Sequence, residues 1–377
     1  MEKNTPLFLF GNGLSIALSR EFSLKTITEK FISDLDGDEK EFFEKICGGD
    51  ENINFDDFEA NFSLIEDAYN SLKKYRRFID SNAGKIFLEK FELSNPELIR
   101  HEEIIKSLYD KYIFQILGII HGHVTKVDIA MKLNGFTEFL KQQLSTCKKG
   151  YVFTLNYDLL AETILLEEIG SDKMTDFCSA TYKYSGTDIN KFDFDPALND
   201  YKYGEDYTDA NIELQHLHGS LSLFYDSVRN KCIKFKSEDI FIHDVYKSIG
   251  EKNWSLTPAI ITGGGKSLKM NEYPFEFYFR NLKDLSTYAK YDKLFIVGYS
   301  FRDEHVNDLI NRWMKSVKDY SKGLLIIDYK TTDEDKEEFK KFVRKQIRKR
   351  PGIPNRCFEF GGANAIKDVP GTEPKDE

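Results

Sequence analysis

Leu7-Phe8-Leu9-Phe10-Gly11-Asn12-Gly13-Leu14-Ser15 runs four apolar residues into a turn bracketed by two glycines, then out into a new apolar period. An apolar run without polar alternation is what a strand covered on both faces requires. Glycine at 11 and 13 lets the backbone approach a phosphate closely, and a helix N-terminus behind it offers free N–H donors to an anion. The stretch therefore reads as the strand–turn–helix unit of a nucleotide-binding fold. Ile16 stands where the dehydrogenase fingerprint needs a third glycine, so that fingerprint is excluded. A plain tight turn is the competing reading.

Outward from this unit the pattern changes twice. From about Thr26 to Thr146 apolar residues recur at three and four spacing, in Ile27 to Leu35, Phe58 to Ile79 and Glu97 to Leu133. Strand signals then resume at Tyr151 to Thr154, Ile212 to Leu217, Ala259 to Thr262, Leu294 to Val297 and Leu324 to Ile327. Helical patterns lie between them, at Leu159 to Ile169 and Asn307 to Val317. Alternating strands and helices imply an α/β fold, a Rossmann-like, doubly wound and mostly parallel sheet carrying a large helical insertion. We expect a discontinuous core over 1–25 and 147–360, the insertion over 26–146 and a disordered tail over 361–377. Residues 181–211, rich in Tyr, Asp, Asn and Lys, are expected to form a long irregular excursion, and Phe224 to Phe235 a hairpin turning near Asn230. Thr262-Gly263-Gly264-Gly265-Lys266 lacks Walker spacing and reads as a flexible loop near substrate.

Composition narrows the class. Of 377 residues, 41% are hydrophobic and 14% aromatic, which gives a packed core and argues against disorder. The formal charge of −10 leans against a generic nucleic-acid binder. The basic run Lys340 to Arg350 is either a solvated helix face or a surface for nucleic acid or a protein partner. No apolar run approaches the ~20 residues that span a bilayer, and Leu7 to Phe10 is too short for a secretory signal, so a cytoplasmic protein without membrane contact is expected. Five cysteines without a C-x-x-C pair exclude a zinc ribbon and fit a reducing compartment.

Three more fragments stand at strand ends: Thr154-Leu155-Asn156-Tyr157-Asp158, His216-Leu217-His218-Gly219 and Gly298-Tyr299-Ser300-Phe301. Singly, each has a bland explanation. Asn156 or Asp158 would cap the next helix, and a lone histidine is more often structural. An amide can both donate to and accept from a water, a carboxylate accepts strongly from an NH₂ group, and an imidazole takes a proton near neutrality.

In this order the four fragments resemble the NAD-binding and catalytic motifs of sirtuins, over about residues 7–20 and 150–330. The last fragment runs on through Arg302-Asp303 as the late sirtuin motif, and the following Glu304-His305-Val306-Asn307 extends the resemblance to the bacterial branch that hydrolyses NAD in antiphage defence. The resemblance implies pyrophosphate or ribose contact by Gly11, Asn12, Gly13 and Ser15, a water ordered by Asn156, the nicotinamide carboxamide held by Asp158, and His218 as the catalytic histidine. Gly298 and Ser300 would contact the adenine-side ribose and phosphate, and Asp328, ending a buried strand, the adenosine ribose hydroxyls. It further implies NAD as the substrate, no metal, and cleavage to nicotinamide and ADP-ribose by the NAD-depleting effector of an abortive-infection system. Such an effector would be held off until infection, as a homo-oligomer, with a sensor or a HerA-type ATPase as companion. The proline–aspartate–phenylalanine–arginine segment and the zinc cysteines of protein deacylases are missing, which weighs against a deacylase. That reading and a non-catalytic NAD- or ADP-ribose-binding module are the alternatives.

Overall fold

The computed structural model of the chain describes residues 4–55, 58–91, 93, 96–121, 129, 131–183, 197–201, 210–226, 231–236, 240, 246, 256–262, 269–347 and 352–366. Its strands are β1 (Pro6–Phe10), β2 (Gly150–Thr154), β3 (Met174–Thr175), β4 (Cys178–Lys183), β5 (Ala197–Tyr201), β6 (Ile212–His216), β7 (Gly219–Asp226), β8 (Lys231–Phe235), β9 (Leu256–Ile260), β10 (Lys293–Val297), β11 (Leu324–Ile327) and β12 (Phe358–Glu359). The helices ahead of β2 are α1 (Asn12–Leu18), α2 (Leu24–Asp34), α3 (Gly37–Ile46), α4 (Phe58–Asp80), α5 (Asn82–Lys90), α6 (Pro96–His121) and α7 (Asn134–Ser145). Those after it are α8 (Leu160–Glu168), α9 (Phe275–Thr287), α10 (Glu304–Ser316) and α11 (Asp333–Ile347).

Seven strands form one sheet in the order β12-β11-β10-β1-β2-β6-β3, and every pairing in it is parallel. β1 lies in the middle, with β2 on one side and β10 on the other. The chain thus builds outward one way and later the other, and the crevice beyond the carboxyl ends of β1 and β10 is where such sheets take ligands. The period of two along each strand divides the apolar residues between two cores. Phe8, Phe10, Val152, Phe295 and Val297 meet Phe31, Phe62, Tyr112 and Phe139 from the helices preceding β2. Leu7, Leu9, Phe153, Leu294 and Ile296 meet Phe277, Val306, Trp313 and Val343 from α9, α10 and α11. With both faces covered, the doubly wound α/β reading holds.

The helices of residues 26–146 do not form a detached appendage, because their aromatic residues share the sheet's own core. Phe31, Phe43, Phe62 and Tyr112, from α2, α3, α4 and α6, pack ring to ring at 5.2–5.9 Å. Each such side chain contributes ~1.5–3 kcal/mol on full burial.

Two expectations need correcting. Residues 181–211 are not wholly irregular: β4 and β5 fall partly or wholly there and join β8, β7 and β9 in a five-stranded sheet, order β4-β5-β8-β7-β9, whose pairings are antiparallel. Ala197-Leu198-Asn199-Asp200-Tyr201 is a poor strand former by composition, and pairing on both sides overrides it. The hairpin of β7 and β8 is present; its turn lies outside the described residues, as do residues 184–196 and 202–209. The tail is also ordered where it begins. Gly361 bridges to Tyr329, and Ala363 and Ile366 are buried. The rest of it, 367–377, lies outside the described residues. Among the described residues no helix is long and apolar enough to cross a membrane.

A buried charged cluster joins the two sheets. Lys234, on β8, pairs with Asp176 and, at 2.8 Å, with Glu162 of α8. His216 closes β6 beside Glu162, and burial pushes its imidazole down to about 4. The ring is therefore neutral in the folded chain at neutral pH. In the unfolded chain it protonates below about 6.5. Between those values the unfolded state binds more protons, so His216 removes stability as pH falls from about 6.5 to 4, by ~1.4 kcal/mol per unit at most. Urea midpoints at pH 7.5 and 5 should therefore differ less in His216→Asn than in the wild type. Equal differences in the two would contradict this reading.

Candidate active site

Three glycines meet where β1 and β10 end. The N–H of Gly11 donates to the Val297 carbonyl at 2.9 Å, and that of Gly13 to the Gly298 carbonyl at 2.8 Å. A Cβ on Gly13 would stand 2.6 Å from the Gly298 Cα, and one on Gly298, whose φ is +63°, 2.4 Å from the Leu14 nitrogen. The first task of this glycine set is to let two strand-end loops interlock, and the two amides it spends there are turned away from any phosphate. Phe301 continues the β10 loop at φ +57° and is fully buried. Its carbonyl accepts from the Asn307 amide at 2.9 Å, while the Tyr299 hydroxyl donates to Asn307 Oδ1 at 3.0 Å. A strained backbone persists only where its surroundings over-determine it, and these bonds do so here.

Around that junction opens a cleft of about 1220 Å³. Its lining includes Gly11, Asn12, Gly13, Asn156, Asp158, His218, Gly298, Ser300 and Asp328, which are nine of the ten residues singled out in the sequence. Strand ends far apart in the chain thus converge, as the parallel topology requires.

Ser15 is the tenth, and it does not line the cleft. It is fully buried beneath the floor, where it accepts from Asn156 Nδ2 at 2.8 Å and donates to Asp158 Oδ2 at 2.6 Å. Asn156 Nδ2 also donates to the Gly11 carbonyl at 3.0 Å. A carbonyl can only accept, so this bond fixes which way the amide faces. Both amide hydrogens of Asn156 are then engaged, and Oδ1 is the atom left to accept from a water. Ser15 acts as a relay that orients Asn156, rather than as a contact to pyrophosphate or ribose.

Asp158 is buried on the same floor. Its Oδ1 accepts from the Leu160 N–H at 2.9 Å and so fastens the start of α8, but the N-cap position is Leu159, not Asp158 or Asn156. Burial pushes its carboxyl up, against the opposing effect of the bonds from Ser15 and Leu160. Asp328 likewise has both oxygens engaged, by the Tyr329 N–H at 2.7 Å and by Lys330 Nζ at 3.3 Å.

His218 follows β6, and its Nε2 lies 3.0 Å from Asp303 Oδ2. Asp303 caps α10, its Oδ1 accepting from the His305 N–H at 3.0 Å and the Val306 N–H at 3.2 Å. The carboxylate is thus fixed at a helix N-terminus, which favours its charge. An acceptor at Nε2 holds the proton there and leaves Nδ1 free to take one. Gly219, at φ +93°, serves its neighbours rather than the ring, since a Cβ there would stand 2.0 Å from the Ala259 carbonyl oxygen of β9.

Sequence reasoning passed over Asp303 as a site residue. Its place just before Glu304-His305-Val306-Asn307 signals a helix cap, but nothing in one dimension shows its second oxygen reaching a histidine 85 positions earlier. Arg302, from the late motif, and Lys25, which sequence reasoning passed over, also line the cleft and offer cations to a diphosphate. Two cations of the basic run make contacts within the fold. Lys340 pairs with Glu337 and lies over the Phe360 ring, and Arg344 donates to the Ile353 carbonyl and lies over Phe358. Residues 348–350, and 263–268 of the glycine-rich loop, lie outside the described residues. Among the described residues no three His, Cys, Asp or Glu side chains are grouped to hold a metal ion.

The SIR2-like domain family matches residues 150–349, just over half of the chain. The match begins at β2 and so leaves out β1, the glycine turn and the helices before β2. No curated protein matches the chain. A parallel sheet whose strand ends bring these motifs into one cleft, together with that match, places the chain in the SIR2-like family, a family of NAD-dependent enzymes.

Proposed function

We propose that this chain hydrolyses NAD at the nicotinamide–ribose bond, releasing nicotinamide and ADP-ribose. The observation that carries the proposal is the pairing of an oriented amide with an oriented imidazole in one cleft: Asn156 fixed through Gly11 and Ser15, and His218 fixed through Asp303. Asn156 Oδ1 accepts from the attacking water. His218 Nδ1 takes that water's proton as its oxygen bonds the ribose carbon, and nicotinamide departs with the electron pair of the broken C–N bond. Positive charge develops on the ribose in such a transition state, and the Asp303 carboxylate, held in the cleft by the α10 N-terminus, is preorganised to stabilise it. Lys25 and Arg302 face the diphosphate. The volume, about 1220 Å³, exceeds the ~300–1,000 Å³ of ordinary ligand sites and gives room for a dinucleotide.

The test is NAD consumption with and without an acylated lysine peptide. Peptide-independent release of nicotinamide supports hydrolysis. Turnover that waits for the peptide would mean a deacylase, and NAD binding without turnover would mean a binding module. Asp303→Asn should lower turnover by a large part of the ~10²–10⁴-fold that a positioned base supplies, with little change in KM for NAD. Unaltered turnover would remove Asp303 from the mechanism. The cellular role that fits is NAD depletion in antiphage defence, by a homo-oligomer restrained by a sensor or ATPase companion; it rests on the likeness of Gly298 to Asn307 to that branch.

A further inference from the structure

Helices α4 and α6 meet the segment beside the catalytic strand ends at one half-buried ammonium group, that of Lys269. Glu66, on α4, is 1% exposed, and Lys269 Nζ stands 2.6 Å from its Oε1. The same nitrogen donates to the Tyr109 hydroxyl of α6 at 3.1 Å and to Thr262 Oγ1 at 3.2 Å. Those two hydroxyls are themselves 2.5 Å apart. Thr262 is fully buried and directly follows Ile261. The Ile261 N–H donates to the His218 carbonyl at 2.8 Å, and its carbonyl accepts from the Tyr157 hydroxyl at 2.6 Å. Tyr157 stands between Asn156 and Asp158 in the chain. Glu66, Tyr109, Thr262 and Lys269 do not line the cleft, yet they hold a segment that is bonded to both catalytic stretches.

We infer that Glu66 and Lys269 are positioning residues, and that the ion pair between α4 and Lys269 sets the register of Thr262 and Ile261, and through them the placement of His218 and Tyr157. This rests on the hydrolase reading above. A buried ion pair is a weak source of stability, because apolar residues of similar volume usually replace it without loss. What such a pair supplies here is direction: the ammonium meets one carboxylate and two hydroxyls at once, and only one arrangement of α4, α6 and the Thr262 segment satisfies them all. Any shift of α4 relative to the sheet would then be felt at His218.

The experiment compares the full-length wild type with Glu66→Leu/Lys269→Met, which removes both charges together and leaves no unpaired ion to unfold the chain. Arg280→Met, which breaks an exposed ion pair within α9, is the control. Three readings are taken: melting temperature, kcat and KM for NAD, and the imidazole NMR signals of His218. The expected result for the double variant is an unchanged melting temperature, a kcat reduced about tenfold or more with KM within about twofold, and shifted His218 signals. Arg280→Met should match the wild type in all three. Wild-type kcat together with unmoved His218 signals would overturn the inference, and so would a loss of activity that follows a loss of melting temperature. Should the wild type itself release no nicotinamide, the hydrolase reading fails, while the His218 signals still decide whether the ion pair positions that ring.

Discussion

Asn156→Ala is expected to abolish NAD cleavage while leaving a folded chain. The amide is held by two donated bonds, to the Gly11 carbonyl and to Ser15 Oγ, and it presents only Oδ1 to a water. Truncation removes that acceptor and frees Ser15, so the attacking water is no longer placed. Misplacement by about 1 Å already costs on the order of 10²-fold in rate. The cost in stability is smaller, ~0.5–1.5 kcal/mol for each hydrogen bond lost, because the Gly11 carbonyl still accepts from the Leu14 N–H at 3.0 Å. The isosteric Asn156→Asp is the sharper probe. It keeps the shape but sets an oxygen against the Gly11 carbonyl, where only a donor is tolerated. It should be as inactive as the alanine variant. If Asn156→Asp turns NAD over at the wild-type rate, the amide orientation is wrong.

Gly298→Val is expected to cause a large loss of stability. Its φ of +63° is strained for a β-branched residue, and the added Cβ would meet the Leu14 nitrogen at 2.4 Å and the Gly13 carbonyl carbon at 2.5 Å. Those contacts are backbone, so no side chain can swing aside. Backbone strain of ~1–3 kcal/mol adds to overpacking of ~1–3 kcal/mol, and the Gly13 N–H loses its acceptor as the loops part. A fall of about 4 kcal/mol or more in unfolding free energy, read from the denaturant midpoint at unchanged slope, is the expected outcome. A change below about 1 kcal/mol would show that the loops are not interlocked as described.

The parallel sheet was readable in the sequence because its strands are covered on both faces. Leu7 to Phe10, Leu294 to Val297 and Leu324 to Ile327 are uninterrupted apolar runs, and such runs have few other uses in a chain this polar. Each ends in a fragment with glycine or a polar side chain, so the site's address followed from the fold class. The five-stranded antiparallel sheet was half hidden. β5 contains Asn199 and Asp200 and gains its strand geometry from neighbours on either side, which no local window registers. In the site, residue choice was legible and role was not. Ser15 sits one turn into α1 and was read as facing ligand, yet α1 turns it down toward Asn156 and Asp158. Asp303 carried a capping signal that accounted for one of its two oxygens. Glu66, Tyr109 and Lys269 gave no signal at all, because a buried charged cluster is made by the packing of distant helices and not by spacing.

The most direct test of the central claim is the nicotinamide and ADP-ribose released from NAD by the purified full chain, measured by chromatography beside His218→Ala. The account predicts equal amounts of the two products from the wild type and, from the variant, a rate lower by ~10²–10⁴-fold on an unaltered fold. Equal release by both proteins, or none by either, would contradict it.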